Sequence, residues 1–300
     1  MIIFIIIVLL IVIATYIFLQ QPMFGRLPSG ERLAQIKNSP NYKNGQFQNI
    51  SKTPNLTEGA SYYSVFKDFF FGKKINVEPK DVLPSVKTNL FTLEINKNVL
   101  VWFGHSSYFM QVEGKRMLVD PVFSGHASPF SFSIKAFKGS NIYTVNDIPE
   151  IDILFITHDH WDHLDYVTVK KLQPKVKQVI CGLGAGSHLE RWGYDKNIII
   201  EKDWNERIDL EDGFTVFTVP ARHFSGRGLS RNRTLWTSYV LQHRCAVYLL
   251  AATAATINIL QRREKSLSHL TLLFWRMANI TRTGDTFTCC RMRYCRQLKT

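Results

Sequence analysis

Behind the apolar run Ile151-Asp152-Ile153-Leu154-Phe155-Ile156 the chain reads Thr157-His158-Asp159-His160-Trp161-Asp162-His163. In an extended segment, side chains at i and i+2 point the same way, so His158 and His160 can grip one ion. If the chain then turns, Asp162 and His163 can face a second ion close by. Imidazole with carboxylate is a ligand set for Zn, Fe or Mn, and paired metals suit hydrolysis of esters, amides and phosphodiesters. The competing reading, a polar loop after a strand, has to treat this His density as chance.

Around this cluster the sequence alternates short strands and helices. Val99–Phe103, Tyr108–Glu113, Arg116–Asp120 and Ile151–Thr157 are β-rich, as are Gln178–Cys181, Asn197–Ile200, Phe214–Val219 and Leu235–Gln242. Tyr166–Leu172 and Ala185–Trp192 carry helical spacing. Strands mixed with helices at this rhythm predict an α/β sandwich with outer helices.

The chain has 300 residues, 45% of them hydrophobic, enough for one domain with short additions. The formal charge is +13, a value that by itself suggests nucleic acid or anionic lipid. Its distribution argues otherwise: residues 1–240 contribute a net +5, and residues 241–300 contribute +8. The basicity is therefore a property of the tail, and no nucleic-acid partner is expected. Cys181 stands alone in the body, with Cys245, Cys289, Cys290 and Cys295 in the tail. An odd total without regular spacing gives neither a disulfide framework nor a zinc pattern.

Ile2 to Leu19 carries no charge and is just long enough to cross a hydrocarbon core. Without a basic n-region or a small-x-small cleavage site, it reads as an uncleaved single-pass anchor (residues 1–20) in a bacterial inner membrane rather than a secretory signal or a core helix. Arg26, Arg32 and Lys37 favour a cytoplasmic body. Residues 21–95 read as an extended arm, broken by Pro22, Pro28, Pro40, Pro54 and Pro79. A short helix over Glu31–Lys37, capped by Ser29, is predicted within it. The aromatics Tyr62, Tyr63, Phe66, Phe69, Phe70 and Phe71 either pack on the body or meet lipid headgroups, with packing the favoured expectation.

The motif His158-x-His160-x-Asp162-His163 after an apolar strand resembles the signature of the metallo-β-lactamase fold, an αββα sandwich. Three further segments resemble the branch containing N-acylphosphatidylethanolamine-hydrolysing phospholipase D: Phe24-Gly25-Arg26-Leu27-Pro28-Ser29-Gly30-Glu31, Val101-Trp102-Phe103-Gly104-His105-Ser106-Ser107, and Leu118-Val119-Asp120-Pro121. The resemblance implies that His158, His160 and His223 hold a first zinc, and that Asp162 and His163 hold a second, with Asp162 also steering the attacking water. Asp120 is a candidate carboxylate orienting the His loop, or a plain strand-end cap. His105 either touches substrate or satisfies a turn, and Trp236 is expected in the core. The implied substrate is a membrane phospholipid or a small phosphodiester. A lactone or other ester is the alternative, and so is a non-catalytic membrane-tethered remnant.

The family's bridging aspartate, in a Gly-Asp-Ser-Gly-like turn, and its last histidine have no counterpart in context. Beyond Gln242 the chain has Asp285 and His269, and Ala251-Ala252-Thr253-Ala254-Ala255-Thr256 stands where the turn belongs. Read from the third base of each codon, with permitted synonyms, Leu250 to Leu260 becomes GGDSGYDKHF; two later stretches also fall into the family's order in that frame. The expectation is a metallo-β-lactamase-fold domain over 96–242, incomplete, followed by an out-of-frame tail over 243–300. On this reading the sandwich lacks its last strands, at most one zinc is tightly bound, and hydrolysis is impaired.

Overall fold

The computed structural model describes residues 1–250 apart from Asn55, Lys74, Asn76 and Cys245. The tail reading rests mainly on residues 251–300, which lie outside the described residues, as do His269 and Asp285.

Among the described residues, twelve strands and five α-helices follow one another. In the N-terminal part these are α1 (Ile2–Leu19), α2 (Gly30–Lys37), β1 (Tyr42–Lys43), β2 (Gln46–Phe47) and α3 (Tyr62–Phe71). Then come β3 (Val99–Gly104), β4 (Ser107–Val112), β5 (Lys115–Val119), β6 (Ile151–Ile156), α4 (Tyr166–Leu172), β7 (Val176–Gly182), α5 (Gly186–Arg191) and β8 (Ile199–Lys202). The last four are β9 (Arg207–Asp209), β10 (Phe214–Pro220), β11 (Thr237–His243) and β12 (Ala246–Leu250).

β3 to β8 form one sheet in sequence order, antiparallel at first and parallel from β5 to β8. A second, antiparallel sheet runs β12-β11-β10-β9. Alternation along the strands sorts side chains between two cores. Met117, Val119, Ile153, Phe155 and Ile180 face the second sheet, meeting Val216, Tyr239, Leu241 and Leu250. Leu118, Leu154, Ile156, Val179 and Cys181 face the other way, toward Val169 and Leu172 of α4 and Leu189 of α5. This is why Ile151–Ile156 is nearly all apolar: a strand covered on both faces needs no polar side. The described residues supply the outer helices of the first sheet.

Several expectations change. The second sheet continues through β12, eight residues past the boundary expected at Gln242. Tyr248 and Leu250 face the inter-sheet core, and Tyr239 pairs with Leu250. An apolar run after the turn at Arg244 is enough to extend the ladder. β9 was not expected either, being only three residues long. The arm is not a detached extension: Ile36 and Phe47 are fully buried with Trp204, Leu235 and Trp236 in a third cluster. Its helix forms as predicted with Ser29 at the N-cap, but the Ser29 side chain makes no capping bond. The aromatic cluster forms α3, whose capping box uses Ser61 and Ser64. Its six aromatic side chains stay exposed rather than packing on the body.

Candidate metal centre

β6 delivers the His loop to the C-terminal edge of the parallel strands, where an α/β sheet places its ligands. The second sheet is pinned to the first at this edge. Thr237 N–H donates to Thr157 O (2.9 Å), and the Tyr239 hydroxyl donates to Ile156 O.

Two donor groups form there. In the first, His158, His160 and His223 bring ring nitrogens within 4.8 Å of one another. His160 Nδ1 lies 2.9 Å from His158 Nε2 and 3.2 Å from His223 Nε2. In the second, His105, Asp162 and His163 meet under the same limit. His105 Nε2 is 2.9 Å and His163 Nε2 is 3.6 Å from Asp162 Oδ2. The groups adjoin, since the His158 and His163 rings are 4.0 Å apart, centre to centre. His105 thus sits beside the two residues expected at the second ion, which the sequence left one short of a three-donor group. Its φ of +46° belongs to the β3–β4 turn that aims it there.

Electrostatics favour the ligating forms. Burial, then the neighbouring imidazoles, push His158 well below the usual histidine range. The same two causes take His223 down to about 3. Burial also lowers His160. These rings are neutral at pH 7, with lone pairs free for a cation. Burial alone pushes the Asp162 carboxyl up, but the His105 hydrogen bond and the charge of His163 outweigh it and hold it ionised. His163 is the exception among the histidines: burial opposes its protonation, yet Asp120 raises its pKa overall. Three neutral imidazoles, with an adjoining carboxylate group, suit zinc by donor type.

Asp120, fully buried at the end of β5, serves the loop directly. Its Oδ1 accepts Thr157 N–H (2.8 Å), while its Oδ2 accepts from the Thr157 hydroxyl and from His163 Nδ1 (2.9 Å). The two readings of Asp120 describe one residue, because the strand-end cap is also the support of His163. Trp236 is fully buried and donates to Ala221 O (2.9 Å).

Three supporting residues escaped the sequence reading. Asn49, on the arm, accepts His223 N–H (3.0 Å) and donates to His223 O (2.7 Å), fixing that backbone at both ends. Asp159, the intervening residue of the motif, is buried and accepts from Thr234 Oγ1, Gly226 N–H and His188 Nε2. Burial raises its carboxyl, but the His188 bond prevails and holds it at about 2. Arg227 donates to Asp159 O and Leu164 O and lies 4.1 Å over the Trp161 ring. The partners named here lie 29 to 174 residues away, so no local pattern could have marked them.

The Beta-lactamase superfamily domain matches residues 115–278, just over half of the chain. An uncharacterized protein of Mycobacterium tuberculosis is 34% identical over 207 residues, covering 69% of this chain and 55% of that protein. The N-acyl-phosphatidylethanolamine-hydrolyzing phospholipase D 1 of Caenorhabditis elegans is 32% identical over 149 residues, 47% of this chain and 42% of that protein. A UPF0173 metal-dependent hydrolase of Pyrobaculum neutrophilum is 30% identical over 128 residues, 42% of this chain and 51% of that protein. The chain spans about half the length of these curated relatives. With the His loop at the edge of a two-sheet sandwich and the match running from β5 onward, this chain belongs to the beta-lactamase superfamily.

Proposed function

We propose that the chain is a metal-dependent hydrolase whose resident ion is zinc. Its proposed substrate is a phosphodiester of N-acylphosphatidylethanolamine-like lipid, and α1 tethers it to a membrane. The observation that supports this best is the pair of adjoining three-donor groups at one sheet edge. His158, His160 and His223 hold one ion tightly, being neutral and mutually oriented. His105, Asp162 and His163 form a more open and weaker second group. A zinc ion in such a site supplies Lewis acidity and lowers the pKa of water to near neutral.

The chain's own residues do the rest. Ionised Asp162 accepts a hydrogen bond from the attacking water and orients it. Until an ion enters between them, His105 Nε2 donates to Asp162 and fixes that carboxylate. Arg231, whose charge reaches His160 and whose guanidinium lies 4.4 Å over the Phe224 ring, offers a cation to an anionic substrate. The similarity to the C. elegans phospholipase D favours a lipid phosphodiester over a lactone or other ester.

A second reading is a membrane-tethered remnant with little or no turnover. It is favoured by the absence, beyond Gln242, of an aspartate in the Gly-Asp-Ser-Gly context, and by the proposal that the residues following β12 are read out of frame. One experiment separates the readings: zinc content per chain, with turnover of a fluorescent N-acylphosphatidylethanolamine and of bis(p-nitrophenyl) phosphate. Turnover with zinc supports the hydrolase, and zinc without turnover supports the remnant. Neither zinc nor turnover sinks the metal assignment. Sequencing the gene across codons 238–256 tests the frame directly, and an intact single frame would remove that proposal.

A further inference from the structure

The foot of α1 is fastened to the end of α5 and to the metal-site loops. Arg191 Nη2 donates to Gln20 O (2.7 Å), Trp192 Nε1 to Pro22 O (2.8 Å), and Arg227 Nε and Nη2 to Met23 O (3.1 and 2.9 Å). The Phe24 ring meets Trp161 of the His loop edge-on at 5.3 Å. Five residues after α1 ends, the chain is therefore touching the metal loop.

Beside this foot stands a finger closed by Ala127 N–H to Ile134 O and Ala136 N–H to Gly125 O, both 2.9 Å. Its tip exposes Phe130, Phe132 and Ile134, at 45%, 75% and 68%. Phe130 stacks on Phe18, in the last turn of α1, at 5.3 Å and 9° between planes. Phe132 stacks on Phe130 at 5.4 Å. The apolar surface of α1 thus continues onto the finger. No acid occurs between Asp120 and Asp147, while Lys135 and Lys138 lie at the finger's returning end.

From this continuity we infer that the tip Phe130–Ile134 is a second membrane contact, entering the interface of the bilayer that α1 spans. The inference rests on the anchor reading given above. Phe18 is one residue from the end of an uncharged helix just long enough to span, so it marks the bilayer boundary. Rings stacked on it lie at the same depth, where aromatic side chains partition favourably. Lys135 and Lys138 face anionic headgroups, whose field attracts cations close to the surface. The finger and the α1 foot then hold the metal loop against the lipid surface, so that a headgroup substrate reaches the site without leaving the bilayer.

The test uses the full chain in vesicles of phosphatidylcholine with a minority of phosphatidylglycerol. Photoreactive p-benzoylphenylalanine replaces Phe132, Leu10 or Asp212 in three separate preparations. Asp212 lies at the opposite end of β10 from His223. Lipid adducts at positions 132 and 10, each about tenfold above position 212, are expected. Adducts at 10 with position 132 at the level of 212 overturn the finger and leave the anchor standing. A protein–protein adduct at 132 also overturns it, pointing to a second copy as the occupant. The absence of lipid adducts at both 10 and 132 removes the anchor along with the inference built on it.

Discussion

Asp120 Oδ2 lies 2.9 Å from His163 Nδ1, and the same carboxylate takes both the N–H and the hydroxyl of Thr157. One buried side chain thus joins β5 to the first residue of the His loop and to the last. Replacing it with asparagine removes the charge and puts an N–H₂ where an acceptor is needed. Asp120→Asn is expected to weaken zinc binding by about 10- to 100-fold, the usual effect of losing such a support. Competition with a chromophoric chelator measures it, and an unchanged affinity would show that Asp120 is only a cap.

The two donor groups should separate by mutation. His223→Ala removes one of three imidazoles from the first group, and the tightly bound zinc is expected to disappear from elemental analysis of the purified chain. His105→Ala is expected to leave that ion in place, because His105 belongs to the group around Asp162. Two zinc ions per wild-type chain surviving extensive dialysis would contradict the ranking of the groups.

Gly25 passes His188 so closely that an added Cβ would sit 1.9 Å from Nδ1, at a φ of +72°. Backbone strain and overpacking both penalise a side chain there. Gly25→Ala is expected to cost about 3 kcal/mol in urea unfolding of the detergent-solubilised chain. His188 supports Asp159, so the same variant should also bind zinc less tightly. A neutral effect would mean that the α1 foot is not held as described.

Arg32 of α2 bridges Glu190 of α5 and Glu201 of β8, fastening the arm to one outer helix and to the edge strand of the first sheet. Its hydrogen bond holds the Glu190 carboxyl below its ordinary value of 4.5, against the opposing effect of burial. For a depressed carboxylate the stabilisation is fully present above the unfolded value. It disappears as pH falls through the lower, folded one. Arg32→Met should cost about 2 kcal/mol near neutral pH, since both carboxylates lose a charged donor. That penalty should shrink as acid drops below pH 4.5. Denaturation of both proteins at neutral pH and in acid checks this, and a penalty independent of pH would refute the ion-pair account.

The legible part of the fold is the part with local causes. Ile151–Ile156 is apolar because both faces are covered, and the sequence shows this directly. β3 to β6 fall within one residue of the runs read from the sequence, helped by turns such as Glu113-Gly114, whereas β7 and β8 are displaced by up to two residues. β9, with three residues, has too short a pattern to register. α3 misled for a different reason. Its aromatics are common core formers, yet the helix that carries them is capped by Ser61 and Ser64 and leaves them exposed on the protein.

The candidate site divides along the same line. His158, His160, Asp162 and His163 are fixed by the sequence, because spacing within six residues dictates which donors can converge whatever surrounds them. The apolar, uncharged character of Ile2 to Leu19 is likewise a property of composition alone. Tertiary structure decided that His105, over fifty residues before Asp162, completes a second donor group. It decided too that Asn49 holds the backbone of His223, and that the foot of α1 rests on Trp161 and Arg227. Those relationships depend on sheet order and on the path of the arm. Hydrogen bonds between residues so far apart in the chain become favourable only once the two sheets have closed and excluded water from the edge they share.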